Sequence, residues 1–336
     1  MGASASRPAG VVITLDALGT LYRFCQPVAV QYRDVARRCG LKTDIDLDRL
    51  QSSFKSAFKH HNKEYPNYGK LLLPNPEVWW TKLVERTFTE VVDGEKLPEN
   101  LGSSLYDHFS SGAAYELYPD VAPFFEGIHA LRKQYSDPEG PMVLTGVITN
   151  SDPRVRRVLN TLNLRVGSSS PVKKLSLEDT NGFASEQAER MARGASKNLR
   201  SPYYDLYNPI NDIDVLVTSY DVGIEKPMTG IFQEAKVRAV PFPLSRAEQS
   251  EEDVSSVLTG AYQLVRNAYS LKGRTQDMKW IHVGDEYDKD YIGAEVAGME
   301  ALHLVRDGEG KRKTGVNTVS NLEEVAAIVG LMMEES

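Results

Sequence analysis

Cysteine is scarce. Cys25 and Cys39 are the two in 336 residues, with no CxxC spacing. That argues against a disulfide framework and against a zinc site, and makes a reducing compartment the default expectation. Long apolar runs are missing too: none approaches the roughly 20 residues that cross a bilayer. A basic excess is also absent. Lys and Arg number 39 against 46 Asp and Glu, for a formal net charge of −7. A nucleic-acid partner, which asks for a basic face, is therefore not expected. The opening stretch MGASASRPAG has no apolar signal core. The expected location is cytoplasmic, with the nucleus as an alternative. Gly2 and Ser6 fit the pattern M-G-x-x-x-S for N-myristoylation, although one acyl chain holds a membrane only weakly.

What is present has an ordinary globular balance, 41% hydrophobic and 25% charged. The length suits one large domain carrying a smaller insertion. Short, continuous apolar runs read as buried strands: residues 11–16, "MVLTGVITNS", "IDVLVT", "KWIHVGD" and "EALHLV". Between them fall helical patterns: "YPDVAPFFEGIHALRKQY", with Pro119-Asp120 as its cap; a segment started by Asp152-Pro153; "TGIFQEAKVRA"; "DKDYIGAEVAGM"; and 320–333. Strands alternating with helices predict an α/β fold, a Rossmann-like parallel sheet with helices on both faces. Residues 25–116 differ in texture. "VAVQYRDVARRCG" and "VWWTKLVERTFTEVV" have helical periodicity, the latter with Trp79, Leu83, Thr87 and Phe88 on one face, and no strand is expected there. The organisation expected is a discontinuous core, 11–24 and 117–333, with 25–116 inserted as a helical domain. Two stretches interrupt the core. Residues 166–208 are polar and read as a long loop, and 241–278 as an extra amphipathic helix.

Ligands of parallel α/β sheets bind beyond the carboxyl ends of the strands. Asp16 ends the first strand. Thr149, Asn150 and Ser151 end the second, Lys226 follows the third in "GIEKP", and Gly284-Asp285 ends the fourth, with Asp288 and Asp290 close behind. These parts suit a phosphate ester. An aspartate can attack phosphorus and carry the phosphoryl group. Several carboxylates facing a dianion call for a divalent cation, and Mg²⁺ takes such hard oxygen ligands. Thr149, backbone N–H groups and Lys226 would hold the phosphoryl oxygens.

"DALGTL", "VITNSD", "GIEKPMTGIF" and "HVGDEYDKDYIGAEVAGM" resemble, in order, the four motifs of the haloacid dehalogenase superfamily. The resemblance implies that the helical insertion is a cap that closes over the site. It also implies roles by position. Asp16 would be the nucleophile and a Mg²⁺ ligand, and the backbone carbonyl of Leu18 a second ligand. Thr149 would bind the phosphoryl group, with Asn150 beside it. Lys226 would neutralise charge on Asp16 and the phosphate. Asp285 would complete the metal carboxylates, supported by Asp290. Aromatic residues Tyr22, Phe24, Trp79 and Trp80 are candidates for the pocket lining or for the cap's own core.

One position departs from the pattern. Phosphatases of this superfamily carry a second aspartate two residues after the nucleophile, where this chain has Leu18. Three readings follow. The first is a Mg²⁺-dependent phosphatase of a small phosphorylated molecule, working through an aspartyl-phosphate on Asp16 without the usual general acid. The second is a non-catalytic or nearly inactive protein that binds a phosphorylated ligand or a protein partner, the latter through 166–208. The third is a carbon-centred dehalogenase, against which the Asp285–Asp290 pair argues because it asks for a metal.

Overall fold

A computed structural model of the chain describes residues 10–92, 94–137, 140–167, 208–239, 278–306 and 312–334. The long-loop expectation for 166–208 and the extra-helix expectation for 241–278 lie almost wholly outside the described residues. So do Gly2 and Ser6.

Among the described residues eight strands form two sheets: β1 (Gly10–Leu15), β2 (Tyr22–Phe24), β3 (Tyr115–Leu117), β4 (Met142–Thr149), β5 (Val215–Thr218), β6 (Met278–Gly284), β7 (Glu300–Leu304) and β8 (Thr318–Val319). The larger sheet has the order β5-β4-β1-β6-β7-β8, and every pairing in it is parallel. β1 and β4 are buried along their whole length. That is why they read as unbroken apolar runs rather than alternating ones.

Helices cover both faces. On one, Val121–Gln134, Arg154–Thr161 and Leu322–Glu334 pack over Val11, Ile13, Leu15 and Val147. On the other, Thr229–Ala239 and Gly293–Val296 pack over Val12, Leu144, Ile148 and Val217, with Phe232 at the centre. Successive β1 residues thus feed opposite cores. The α/β, Rossmann-like reading holds. After β1 the chain order runs outward through β4 and β5, then restarts beside β1 with β6. The carboxyl ends of β1, β4 and β6 therefore meet at a switch in strand order.

Between β2 and β3 lie the helices Val28–Arg38, Leu47–Glu64, Pro76–Thr89 and Leu101–His108. They bury their own clusters, one around Tyr32, Leu50, Phe88 and Leu105 and another around Ala57, Trp79 and Leu83. The expected helical face of Pro76–Thr89 is the buried one, with Trp79, Leu83, Thr87 and Phe88 all inside.

Several local expectations need correction. The stretch 25–116 is not free of strand: Tyr115 and Glu116 pair antiparallel with Phe24 and Arg23, forming a ribbon at the base of the block. Residues 318–319 form β8 ahead of the last helix. "DKDYIGAEVAGM" is not one α-helix but a π-helical turn, Tyr287–Ile292, running into a short α-helix. Asp120 places no side-chain cap on the helix that follows it. Its Oδ2 instead accepts from Leu322 N–H at 2.8 Å, at the start of the final helix, and from Arg306 at 3.0 Å.

Candidate active site

Asp16 follows directly on β1, and its N–H still bonds the Val283 carbonyl at 2.9 Å. The side chain is thereby fixed at the sheet's carboxyl edge, 6% exposed. Lys226 reaches the same point from the segment after β5. Its Nζ donates to Asp16 Oδ1 at 2.6 Å, to Asp290 Oδ1 at 2.6 Å and to the Ile148 carbonyl at 2.9 Å. One ammonium thus spends all three protons on two acids and the end of β4.

Asn150, expected beside a phosphoryl group, is turned to the lysine backbone. Its Oδ1 accepts from Lys226 N–H at 2.7 Å and its amide donates to the Lys226 carbonyl at 3.0 Å. It positions Lys226. Thr149 ends β4 at the same edge, 4% exposed. Leu18 leaves this interior: its side chain is 43% exposed.

The acids come close enough to share a cation. Asp16, Asp285 and Asp290 bring one carboxylate oxygen each within 4.8 Å of one another. Two glycines make room for this. A Cβ on Gly284 would fall 2.2 Å from Asp290 Cγ, and one on Gly19, where φ is +94°, would fall 2.4 Å from Asp285 Oδ2. Gly284→Ala is therefore expected to push Asp290 off Lys226 and cost about 1–3 kcal/mol of stability. Denaturant unfolding checks this, and an unchanged midpoint would show that the turn has room to spare.

Asp290 is the best-supported acid. Its Oδ2 accepts from Glu286 N–H at 2.9 Å, and its Oδ1 faces Lys226 and, at 3.3 Å, His282 Nε2. Burial opposes its charge, but Lys226 and the His282 bond outweigh burial and hold it well below the usual carboxylate range. Burial lowers His282, which is fully enclosed, so the ring is neutral. Its Nε2 faces Asp290, and its Nδ1 lies 2.9 Å from the Thr14 hydroxyl oxygen. Burial would lower Lys226, but the charges of Asp16 and Asp290 raise it further.

Asp285 is left short. Among the described residues its one side-chain donor is the Thr20 hydroxyl at 3.0 Å. Burial, then the charges of Asp16 and Asp290, push it up to about 7. Burial also holds Asp16 above its ordinary value despite Lys226. Three carboxylates and one ammonium leave the cluster one cation short, and its open oxygens are hard donors. The donor set fits Mg²⁺.

Asp152 was expected only as a helix cap. Its Oδ1 does accept from Arg154 N–H at 2.9 Å, but its Oδ2 also takes the Trp80 indole N–H at 2.7 Å, from the helical block. The block bonds the core again through Tyr68, whose hydroxyl donates to the Asn150 carbonyl at 2.9 Å, and through Asn67, whose amide donates to the Ser219 carbonyl at 2.8 Å. Trp79, by contrast, is fully buried in the block's own core, and Phe24 packs there on Phe109 and Tyr115.

The sheet and this edge define an α/β protein with a lysine-centred acidic site at a strand-order switch. Similarity to known proteins narrows the class. Over 292 residues, 87% of this chain and 80% of the relative, it is 28% identical to haloacid dehalogenase-like hydrolase domain-containing protein 3 of Bos taurus. Over 300 residues, 88% of this chain and 72% of the relative, it is 29% identical to an uncharacterized protein of Saccharomyces cerevisiae. A solved 2-haloacid dehalogenase from Pseudomonas syringae superposes with a TM-score of 0.48 at 15% identity, covering 96% of this chain and 99% of that one. No protein-family model matches. The resemblance carried by the four motifs agrees with the similarity to the Bos taurus protein.

Proposed function

We propose that the protein is a Mg²⁺-dependent phosphatase of small phosphorylated molecules, with Asp16 as its nucleophile and the helical block as its cap. The observation that carries this reading is the charge of the cluster: three acids within 4.8 Å of one another and one bridging lysine. Asp16, Asp285 and the Leu18 carbonyl would hold the metal, and Asp290 would support them. Bound there, Mg²⁺ would supply the missing positive charge and offset the repulsion between the acids and a phosphate dianion.

The chain's own groups account for the rest. Asp16 keeps one oxygen on Lys226 and presents the other to phosphorus. As the Asp16–phosphorus bond forms, the bond to the ester oxygen breaks and the leaving group departs as an alkoxide that takes its proton from water. Lys226 and the Thr149 region offset the charge on the phosphoryl oxygens. Water then attacks phosphorus, releasing inorganic phosphate and the free Asp16 carboxylate. No side chain at residue 18 supplies the leaving group's proton, so esters with good leaving groups should turn over best.

Phosphate release from a panel of phosphomonoesters, with Mg²⁺ and with a chelator, tests the proposal. Release that needs both Mg²⁺ and Asp16 supports it. Release unaffected by Asp16→Asn would refute it. The exposed apolar Leu18 favours a second reading, a protein that binds phosphorylated ligands without turning them over. Absence of release alongside Mg²⁺-dependent binding of inorganic phosphate would select it.

Metal binding should also follow pH. Asp285 must lose its proton to bind Mg²⁺, and in the metal-free protein it titrates near 7. Below that value the cation competes with a proton, so affinity should fall about tenfold per pH unit. The sign for stability is opposite. A raised carboxylate pKa means the folded state holds the proton longer. Without metal, this group's contribution declines as pH rises from about 4 through 7. Calorimetric titrations at several pH values check the first trend. Asp285→Asn should abolish it with the affinity.

A further inference from the structure

Arg306 lies two residues past the end of β7, where the Val305 N–H bonds the Val319 carbonyl at 2.9 Å and fixes the chain. Its side chain is only 12% exposed. The guanidinium joins two distant segments. Nη2 donates to both Asp120 oxygens at 3.0 Å and to the Thr20 carbonyl at 2.8 Å, while Nη1 donates to the Gly19 carbonyl at 3.0 Å. The Tyr118 ring centre lies 3.8 Å from the group, a cation–π contact that holds its plane. Asp120 is itself tied to the final helix through the Leu322 N–H at 2.8 Å. The fork is therefore anchored before it reaches the turn.

The turn it grips carries the chain from Asp16 to β2. The Ala17 carbonyl accepts from the Leu21 and Tyr22 N–H groups at 2.8 and 3.2 Å. Arg306 takes the carbonyls of Gly19 and Thr20. Of these four successive carbonyls, that of Leu18 alone accepts no hydrogen bond from a described residue. The same turn sets Asp285. The Thr20 hydroxyl donates to Asp285 Oδ1 at 3.0 Å, and the Gly19 backbone lies so close that a Cβ there would fall 2.4 Å from Oδ2. Thr20 is fully buried. Without the guanidinium its carbonyl would stay unpaired or the turn would shift to find another donor.

We propose that Arg306 is a positioning residue of the cation site: its fork takes the Gly19 and Thr20 carbonyls, leaving the Leu18 carbonyl free for Mg²⁺ and the Thr20 hydroxyl on Asp285. This rests on the reading of Asp16, Asp285 and the Leu18 carbonyl as the metal's ligands. Arg306 acts through the turn, not on the metal. The sign of its effect separates positioning from plain electrostatics. A fixed cation repels Mg²⁺, so removing its charge alone would tighten Mg²⁺ binding. Losing the positioning weakens it. Lysine keeps the charge, but its ammonium does not reproduce the planar fork that spans two carbonyls and a carboxylate.

Calorimetric titration of the full chain with Mg²⁺ tests this without turnover, for wild type, Arg306→Lys and Arg306→Met. Circular dichroism and urea unfolding in chelator establish that each variant is folded under the titration conditions. Both variants are expected to bind Mg²⁺ at least about tenfold more weakly than wild type, the scale of one charge-assisted hydrogen bond. Wild-type affinity in folded Arg306→Lys overturns the proposal. A lowered urea midpoint with unchanged Mg²⁺ affinity would show that Arg306 only braces the fold. Tighter binding in Arg306→Met would show a charge effect alone, which also overturns it. If one variant does not fold, the other decides by the same criterion. If wild type itself fails to bind Mg²⁺, the metal site falls and the positioning role with it.

Discussion

Lys226→Met is expected to cost the metal-free protein about 3–5 kcal/mol, the penalty for removing one partner of a buried ion pair. Lys226 is 4% exposed and holds Asp16 and Asp290 at 2.6 Å each. Methionine fills similar volume, so packing changes little and the loss is electrostatic. Asp16 and Asp290 would then face each other and Asp285 with no cation. Each could escape only by taking a proton, so the deficit should shrink at low pH. Millimolar Mg²⁺ should return part of the loss, because it restores positive charge to the same oxygens. Urea unfolding with and without Mg²⁺ measures both effects. A deficit under about 1 kcal/mol would mean that the pair is far better hydrated than its burial indicates.

Leu18→Asp should raise kcat on alkyl phosphates by at least about tenfold, since general acid catalysis typically contributes 10²–10⁴-fold. Residue 18 stands two places past Asp16, the proposed nucleophile, and is already 43% exposed. An aspartate there needs no burial of new charge and can protonate the departing alkoxide. Phenolic esters leave without help and should gain less. The added negative charge stands two residues from Asp16, so the variant should require more Mg²⁺ for half-maximal rate. Steady-state kinetics on one alkyl and one aryl phosphate, with Asp16→Asn as the blank, give the answer. A folded, metal-binding variant that stays at the blank on both esters would favour the non-catalytic binder.

The fold was readable where one strand carries its own signal. β1 and β4 are buried along their length and β6 at every residue but Lys279, because both sheet faces are covered, and parallel pairing sends their carboxyl ends to one edge. That geometry brings Lys226 to Asp16 across 210 positions of sequence, so order along the chain was enough to place the acids and the lysine together. Elements defined by a distant partner were not readable. Tyr115–Leu117 is a strand only because Tyr22–Phe24 lies beside it, and three residues carry no periodicity. Asp120 has the form of a cap for the helix it precedes, yet its carboxylate serves a helix start 202 positions later. Asp152 looked like a local cap for the same reason. Its bond to Trp80 crosses from the core to the helical block, and nothing in "TNSDPR" records where a tryptophan of another element will fall. Asn150 was legible as part of the site. Its role was not, because an amide can serve a phosphate or a neighbouring backbone equally well.

The central claim is that Asp16 takes up a phosphoryl group. An acyl-phosphate on an aspartate is reduced by borohydride to homoserine, whereas a free carboxylate is not. The protein is mixed with acetyl phosphate and Mg²⁺, quenched into borohydride and digested, and the peptide containing residue 16 is read by mass spectrometry. Homoserine at position 16, absent when Mg²⁺ is chelated, is the result predicted here. An unmodified Asp16, or reduction at a different carboxylate, would contradict it.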